Sequence, residues 1–167
     1  VSKTYPLKAG PGRTVLNNIS YHIRKGKIVG IVGKNGSGKT TLLRIIAGLT
    51  KPSQGTVAIE GKVIAIIELG SGFHSDLTGF DNINYYAQIL GYTAKQVEPF
   101  VERIIAFSEI GTYIHEPVKT YSKGMFLRLA YSIAVHLDAD VYLFDEVFAV
   151  GDNYFKEKCI QNLLELK

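Results

Sequence analysis

The sequence predicts an α/β fold with a parallel sheet at its core, an N-terminal antiparallel β-subdomain and a helical subdomain. Three observations predict it. A continuous apolar run at residues 28–32 is typical of a strand buried on both faces, and a glycine-rich loop and a helical pattern follow it. A second apolar run, 141–144, stops at two acidic residues. Between the two runs, apolar residues recur at helical spacing over about 80–138.

Bulk composition is that of one globular domain. The chain has 167 residues, of which 46% are hydrophobic and 20% charged, which excludes the disordered and fibrous classes. No apolar run reaches the roughly 20 residues that a membrane-spanning helix needs. We therefore expect residues 1–167 to form a single domain that does not cross a bilayer by itself.

Cysteine content and charge indicate the compartment. The single cysteine, Cys159, cannot form an internal disulfide, and no secretory signal pattern begins the chain. The net charge is +4, but the lysines are scattered rather than massed in a tract, which is typical of a solvated basic face. A cytoplasmic location without a nucleic-acid partner is the expectation.

The first elements follow from turn residues and periodicity. Before the first apolar run, Thr, Val, Tyr and Ile alternate with Gly and Pro turns, which predicts short antiparallel strands. A helical pattern over 40–47 stops at Gly48. The segments 56–59 and 63–67 predict a strand pair turned at Gly61.

The later elements complete the pattern. Helical spacing over 80–110 and again over 122–137 predicts the helical subdomain, whose aromatic side chains we interpret as core packing. The apolar run at 141–144 then predicts a buried strand.

A phosphate-binding loop follows the first apolar run. Glycines allow backbone N–H groups to converge on phosphate oxygens, and the next helix adds positive potential at its N-terminus. Lys39 is predicted to reach the β and γ phosphates of ATP, the Thr40 hydroxyl to ligate Mg²⁺, and Thr41 to help hold the phosphates. The residues that fit this Walker A pattern are Gly33, Lys34, Asn35, Gly36, Ser37, Gly38, Lys39 and Thr40. The pattern predicts a P-loop NTPase core with ATP and Mg²⁺ as cofactors.

Two carboxylates stand where the second apolar run ends. Asp145 is placed to hold Mg²⁺ as a Walker B residue does. Glu146 is the candidate catalytic residue, since a carboxylate there can orient or deprotonate the attacking water. The alternative interpretation is a helix cap or a solvated acidic pair. A strand would deliver both groups to the same sheet edge, which favours the catalytic interpretation.

The helix predicted after residue 121 starts with Ser122 at its N-cap and Gly124 two residues later, leaving room for a phosphate. Alone, this is an ordinary cap. Shortly before a Walker B strand, the Ser-x-Gly pattern resembles the signature motif of ATP-binding-cassette (ABC) proteins, whose usual form is Leu-Ser-Gly-Gly-Gln. The segment 121–125 departs from that form at its other three positions. The resemblance implies that Ser122 and Gly124 contact the γ-phosphate.

Several segments narrow the resemblance to ABC subunits that export polysaccharides, including O-antigen and teichoic-acid chains. They are residues 68–74, 120–125, 145–152 and 155–159. The resemblance implies an ATPase subunit on the inner face of the cell membrane that powers export through a membrane-spanning partner. It also implies a head-to-tail dimer, in which each ATP lies between one Walker A loop and the signature of the second copy.

Other positions resemble the family less closely. Tyr5 resembles the aromatic that stacks on adenine, although aromatics also favour strands. Asp152 falls near the loop that links the two sites of the dimer. Glu68 stands near the place of the family's Q-loop glutamine.

The family's switch histidine has no counterpart in order before Lys167, and Val1 would fall at the end of the family's first strand. We therefore expect residues 1–167 to be incomplete at both ends, to bind nucleotide and to hydrolyse it poorly.

Three alternatives remain open at this point. A soluble cassette ATPase acting on nucleic acid or ribosomes would use the same site, but the interval between Walker A and signature shows no sustained heptad. A P-loop kinase or GTPase would not explain the signature-like segment, and no Asn-Lys-x-Asp segment is present. A regulatory module could bind ATP without turnover.

Overall fold

The computed structural model describes residues 1–8, 10–67, 72–145 and 152–165. Within these residues the chain forms two small sheets and several helices. The strands are β1 (Lys3–Tyr5), β2 (Arg13–Leu16), β3 (Val63–Ile66) and β4 (Val141–Phe144). The helices are α1 (Lys39–Ile46), α2 (Gly79–Ile89), α3 (Ala94–Val97), α4 (Val101–Ser108), α5 (Lys123–His136) and α6 (Asn153–Glu165), with short 3₁₀ turns at Glu98–Phe100, Gly111–His115 and Val118–Thr120.

The N-terminal sheet is antiparallel, as predicted. β1 pairs with β2, with Lys3 opposite Leu16 and Tyr5 opposite Arg13. The hydroxyls of Thr4 and Thr14 lie 3.0 Å apart across the pair. The sheet is smaller than the sequence suggested, because residues 17–28 form no strand.

Helix α1 begins and ends within one residue of its prediction. Gly38 precedes it with φ 94°, and Gly48 follows it with φ 74°. Both angles lie in the left-handed region that glycine adopts without steric cost. A Cβ at Gly38 would lie 2.9 Å from side-chain carbons of Val15 and Leu16, so glycine also lets the start of α1 pack on β2.

The second sheet is parallel. β3 pairs with β4 from Val63 opposite Val141 to Ile66 opposite Phe144, which confirms both strands. The predicted pairing of 63–67 with 56–59 is wrong, since 56–59 forms no strand. The Asp140 carboxylate accepts a 2.8 Å hydrogen bond from the Lys62 N–H. That bond fixes the start of β3 beside the start of β4.

The prediction of a buried strand at 28–32 is also wrong. This run has no strand hydrogen bonding, and its exposed side chains range from Ile31 at 39% to Val32 at 97%. A continuous apolar run shows that a segment is hydrophobic, but a strand also needs a neighbouring strand to complete its backbone hydrogen bonds. Within the described part of the chain, β3 and β4 pair only with each other.

Helices α2 to α5 occupy the predicted helical region and build the main core. Helix α4 packs on α5, and Gly91, with φ 85°, separates α2 from α3. The fully buried apolar side chains of these helices are Ile83, Ala87, Val97, Ile104, Leu129, Ala130, Tyr131, Ile133 and Ala134. None of the helices described here is both long and apolar enough to span a membrane.

A buried amide fixes the loop before α2. Asn82 is fully buried, and its Nδ2 lies 2.9–3.2 Å from the carbonyl oxygens of His74, Leu77 and Thr78. That loop is tied to the segment leading to α5, because the Val118 N–H donates to the Leu77 carbonyl at 2.9 Å. The approach to Ser122 is therefore anchored on α2.

Candidate functional site

The glycine-rich loop has the backbone shape that its sequence predicts. Gly36 has φ 77° and Gly38 has φ 94°, both left-handed. The Ser37 N–H donates to the Lys34 carbonyl at 3.1 Å, which closes a tight turn. At Gly33 a Cβ would lie 2.6 Å from the Ser37 Oγ, so a larger residue there would require the Ser37 hydroxyl to rotate away.

Helix α1 presents unpaired donors at the end of this loop. The first N–H groups of a helix have no intrahelical partner, and they carry the positive end of the helix dipole. Gly38 caps α1 without a side-chain hydrogen bond, and the first turn holds no acidic residue. These donors and this potential fit the phosphate groups of a nucleotide.

The Lys39 ammonium lies over the loop. Its Nζ donates to the Gly33 carbonyl at 3.0 Å and to the Lys34 carbonyl at 3.1 Å. Its neighbour Thr40 is exposed, and Thr41 is partly buried. A lysine with three rotatable donors can turn from these carbonyls toward phosphate oxygens.

Asp145 directly follows β4. Its N–H donates to the Ile66 carbonyl at 3.2 Å, which extends the β3–β4 pairing by one residue, and the residue is partly buried. The candidate catalytic Glu146 and the Q-loop position Glu68 both lie outside the described residues.

The donor set suits Mg²⁺ brought by a nucleotide. Across residues 1–8, 10–67, 72–145 and 152–165, no group of three or more His, Cys, Asp or Glu residues could hold a metal ion. Thr40 and Asp145 offer one hydroxyl and one carboxylate, both oxygen ligands. Mg²⁺ is usually held by one or two carboxylates together with phosphate oxygens and water, so these residues fit the ion.

Tyr5 lies at the end of β1 with 40% of its surface exposed. The Lys3 Nζ is 4.9 Å from the centre of its ring. An exposed ring can stack on a planar base, but nothing in the single chain assigns that role, which stays a prediction.

Helix α5 starts as predicted. Ser122 has extended backbone angles, and its Oγ accepts a 3.2 Å hydrogen bond from the Met125 N–H, which confirms the N-cap. Beyond the helix backbone, a Cβ at Gly124 would meet only the Ser122 Oγ, at 3.8 Å. The start of α5 therefore has open space beside Gly124.

A hollow of about 490 Å³ lies beside this helix start. Arg128 on its wall pairs with Asp152 at 2.6 Å and with Glu109 at 3.5 Å, and Glu109 also pairs with Lys158 at 2.6 Å. We call these four residues the α5 ionic cluster. The Phe155 N–H and the Arg128 guanidinium hold the pKa of the Asp152 carboxyl below its usual range. The lining residues are Glu109, Ile110, Ser122, Lys123, Gly124, Met125, Leu127, Arg128 and Asp152.

The predicted site residues thus fall into separate groups. The loop residues Gly33, Lys34 and Lys39 contact one another, and the hollow brings Ser122 and Gly124 beside Asp152. In the part of the chain that the structure describes, no hydrogen bond or ion pair joins the loop to Tyr5, Asp145 or Ser122.

Sequence reasoning missed the other members of the α5 ionic cluster. Arg128 gave one signal, because it is the lone charge in the apolar run 125–131. The sequence around Glu109 and Lys158 gave no such signal, since it does not distinguish them from ordinary charged residues on the surface.

Comparison with known proteins gives concordant results. A family model described as "ABC transporter" matches residues 16–149. The O-antigen export system ATP-binding protein RfbB of Myxococcus xanthus is 47% identical over 92% of this chain and 35% of its own length. The teichoic acids export ATP-binding protein TagH of Bacillus anthracis is 44% identical over 96% of this chain and 29% of its own. The chain spans about a third of the length of these relatives.

A solved structure shares the fold. It is a dimeric ATP-binding cassette in a post-hydrolysis state bound to ADP and Pi, and it superposes with a TM-score of 0.84 over 99% of this chain and 80% of its own. Sequence identity is 23%, so the likeness concerns the fold. It confirms the predicted α/β fold.

Proposed function

Because this chain belongs to the ABC transporter family, we propose that it binds Mg·ATP at residues 33–41 and takes part in its hydrolysis. The observation that carries the proposal is the loop before α1. Two left-handed glycines, an unpaired helix N-terminus and the Lys39 ammonium converge there. This combination suits the β and γ phosphates of a nucleotide.

Each predicted residue has a role in this proposal. The backbone of 33–38, with Lys39 and Thr41, holds the phosphates. Thr40 and Asp145 hold Mg²⁺, which neutralises charge on the phosphate oxygens when it is bound. Glu146 orients the attacking water and accepts its proton. Tyr5 stacks on the adenine.

The proposed site is completed by a second copy of the chain. Ser122 and Gly124 contact the γ-phosphate of the ATP held by the partner, in a head-to-tail dimer that closes under a twofold axis. Support comes from the open start of α5. Among the residues that the structure describes, no hydrogen bond or ion pair joins it to the loop of the same chain. The related cassette of known structure is itself dimeric.

At the level of the complete protein, we propose that this unit powers the export of a polysaccharide. The proposed partner is a membrane-spanning subunit, and the proposed location is the cytoplasmic face of the membrane. The names of the relatives, which are export systems for O-antigen and teichoic acids, support this choice over a role on nucleic acid or ribosomes.

The test of nucleotide binding is Lys39→Ala, which removes the cation that lies over the loop. A charge-assisted hydrogen bond contributes about 1.5–3 kcal/mol, so affinity for a fluorescent ATP analogue is expected to fall about tenfold to a hundredfold. Lys95→Ala, an exposed lysine of α3, is the matched control and should bind normally. Unchanged affinity in Lys39→Ala would refute the phosphate-binding assignment.

A further inference from the structure

Glu109 adopts an unusual backbone conformation for a glutamate. It directly follows α4 with φ 54° and ψ 29°, in the left-handed region. Glycine and asparagine are the usual residues there, and other residues are uncommon. Here the side chain makes two specific contacts, to Lys158 at 2.6 Å through Oε1 and to Arg128 at 3.5 Å through Oε2. A carboxylate is thus placed between two cations at a strained position.

Arg128 is held on three sides. Its guanidinium lies 4.7 Å from the centre of the buried Phe155 ring and contacts Asp152 at 2.6 Å. The Asp152 carboxylate in turn accepts a 2.9 Å hydrogen bond from the Phe155 N–H at the start of α6. Only 18% of the Arg128 side chain is exposed. Its position is therefore fixed by Glu109 on one side and by the start of α6 on the other.

Lys158 anchors Glu109 from the opposite direction. Besides its contact with Glu109, its Nζ donates to the Phe107 carbonyl at 3.0 Å and lies 4.5 Å from the Phe107 ring centre. The α5 ionic cluster thus ties the end of α4 to α5 and α6.

The cluster connects two parts of the proposed site. Arg128 belongs to α5, whose first residues are proposed to contact the γ-phosphate. Asp152 follows Glu146, the proposed catalytic residue, by only a few positions in the sequence. Any shift of the guanidinium would therefore alter the position of Asp152 relative to Ser122.

We propose that Glu109 is a positioning residue for ATP hydrolysis, acting through Arg128 to hold Asp152 and the start of α5 in one arrangement. This role rests on the proposed function. Partly exposed ion pairs contribute little to folding stability. A loss of Glu109 should therefore change turnover rather than unfolding.

The experiment uses the full-length protein and three measurements: phosphate release, affinity for a fluorescent ATP analogue, and the thermal midpoint. Glu109→Gln is expected to lower kcat about tenfold, a typical size for coupling within one network, while affinity and midpoint stay unchanged. Arg128→Gln should lower kcat at least as much. The double variant should match Arg128→Gln alone, because Glu109 acts through Arg128.

Two further variants serve as controls for the positioning role of Glu109. Lys119→Gln removes an exposed ion pair with Asp76, 2.9 Å long and at least 59% exposed on each side, and should leave kcat unchanged. Glu109→Gly suits the left-handed backbone and so keeps the fold while removing the carboxylate. It should reproduce the kcat loss of Glu109→Gln.

Other outcomes overturn the inference. If Glu109→Gln and Glu109→Gly turn over like the unchanged protein, or if only the thermal midpoint falls, Glu109 has no positioning role. Multiplicative losses in the double variant would mean that it does not act through Arg128. Absence of ATP hydrolysis in the unchanged protein would be a different result, overturning the proposed function and this role together.

Discussion

His136 shows how one partly buried side chain links pH to stability. It lies in the last turn of α5, where the neutral tautomer with its proton on Nδ1 donates to the Ser132 carbonyl at 2.8 Å. Its ring packs edge-on against Phe107, with centroids 5.0 Å apart. Burial lowers its pKa first of all, and the nearby charges of Arg103 and Lys158 lower it further, against the opposing effect of Ser132.

We predict that this histidine destabilises the fold in mild acid. Because its pKa is lower in the folded chain than in the unfolded chain, the unfolded state takes up the proton first as pH falls below about 6.5. The contribution of neutral His136 to the free energy of unfolding is therefore fully present above that pH and is lost as the pH falls below it. When urea unfolding is measured at pH 7.5 and at pH 5.5, the free energy of unfolding should fall more between the two for the unchanged chain than for His136→Gln. Equal losses in both proteins would show that His136 titrates normally.

Whether a residue's conformation or pKa can be predicted from the sequence depends on how close in sequence the interacting residues lie. The N-cap role of Ser122 was predicted because the hydrogen bond to Met125 spans only three residues. The left-handed conformation of Glu109 could not be predicted, because neither glycine nor asparagine, the usual residues at such a position, stands there. The lowered pKa of His136 likewise depends on packing that no local pattern reports.

At the scale of elements, Gly79 controls how α2 meets the segment before α5. It is the first residue of α2 and is buried. A Cβ here would overlap the Tyr121 hydroxyl and lie 3.1 Å from the Ile114 Cδ1. That hydroxyl donates to the Tyr113 carbonyl at 2.7 Å, and burial raises the Tyr121 pKa to about 12. The tyrosine is therefore confined, and it directly precedes Ser122.

Gly79→Ala is expected to destabilise the fold. Adding a methyl group to a filled core site costs about 1–3 kcal/mol. Chemical denaturation should show this loss in the free energy of unfolding. Gly124→Ala is the matched control, since its Cβ has space and alanine favours helix by about 1 kcal/mol. A stable Gly79→Ala protein would contradict the close packing of Tyr121 on α2.

The sequence predicted helices better than strands, for a physical reason. Helix α1 could be placed from its flanking glycines, and α5 from its serine cap, since helical hydrogen bonds are local. Strand partners are distant in sequence, and so the pairing of β3 with β4 could not be derived from local turns. The run 28–32 was misjudged for the same reason. Its hydrophobicity was clear, but its backbone partners were not.

At the scale of the whole molecule, the proposed dimer places the two halves of each site on different chains. The loop at 33–41 and the start of α5 share no hydrogen bond or ion pair within the residues described for one chain. A variant in either half should therefore be complemented by a variant in the other half. Such complementation depends on the head-to-tail arrangement.

We predict partial recovery of ATP hydrolysis when Lys39→Ala and Ser122→Arg full-length proteins are mixed. Each variant alone inactivates both sites of its own dimer. In the mixed dimer, both lesions fall into one site and leave the other intact. Phosphate release by the mixture should exceed that of either protein alone. Mixing Lys39→Ala with the double variant is the control, because it leaves no intact site and should show no recovery. Absence of recovery in the first mixture would contradict the trans arrangement.

The parallel pairing of β3 with β4 also determines the order in which the chain can fold. The hydrogen bond from the Lys62 N–H to Asp140, at the start of this pair, joins residues 78 positions apart. Closing so long a loop is entropically costly, whereas the contacts within α2, α4 and α5 are much more local. We therefore expect the helical region that connects the two strands to become compact before they meet. On this expectation, the edge of the sheet that carries Asp145 forms late, and mutations that slow helix packing delay the appearance of a competent site.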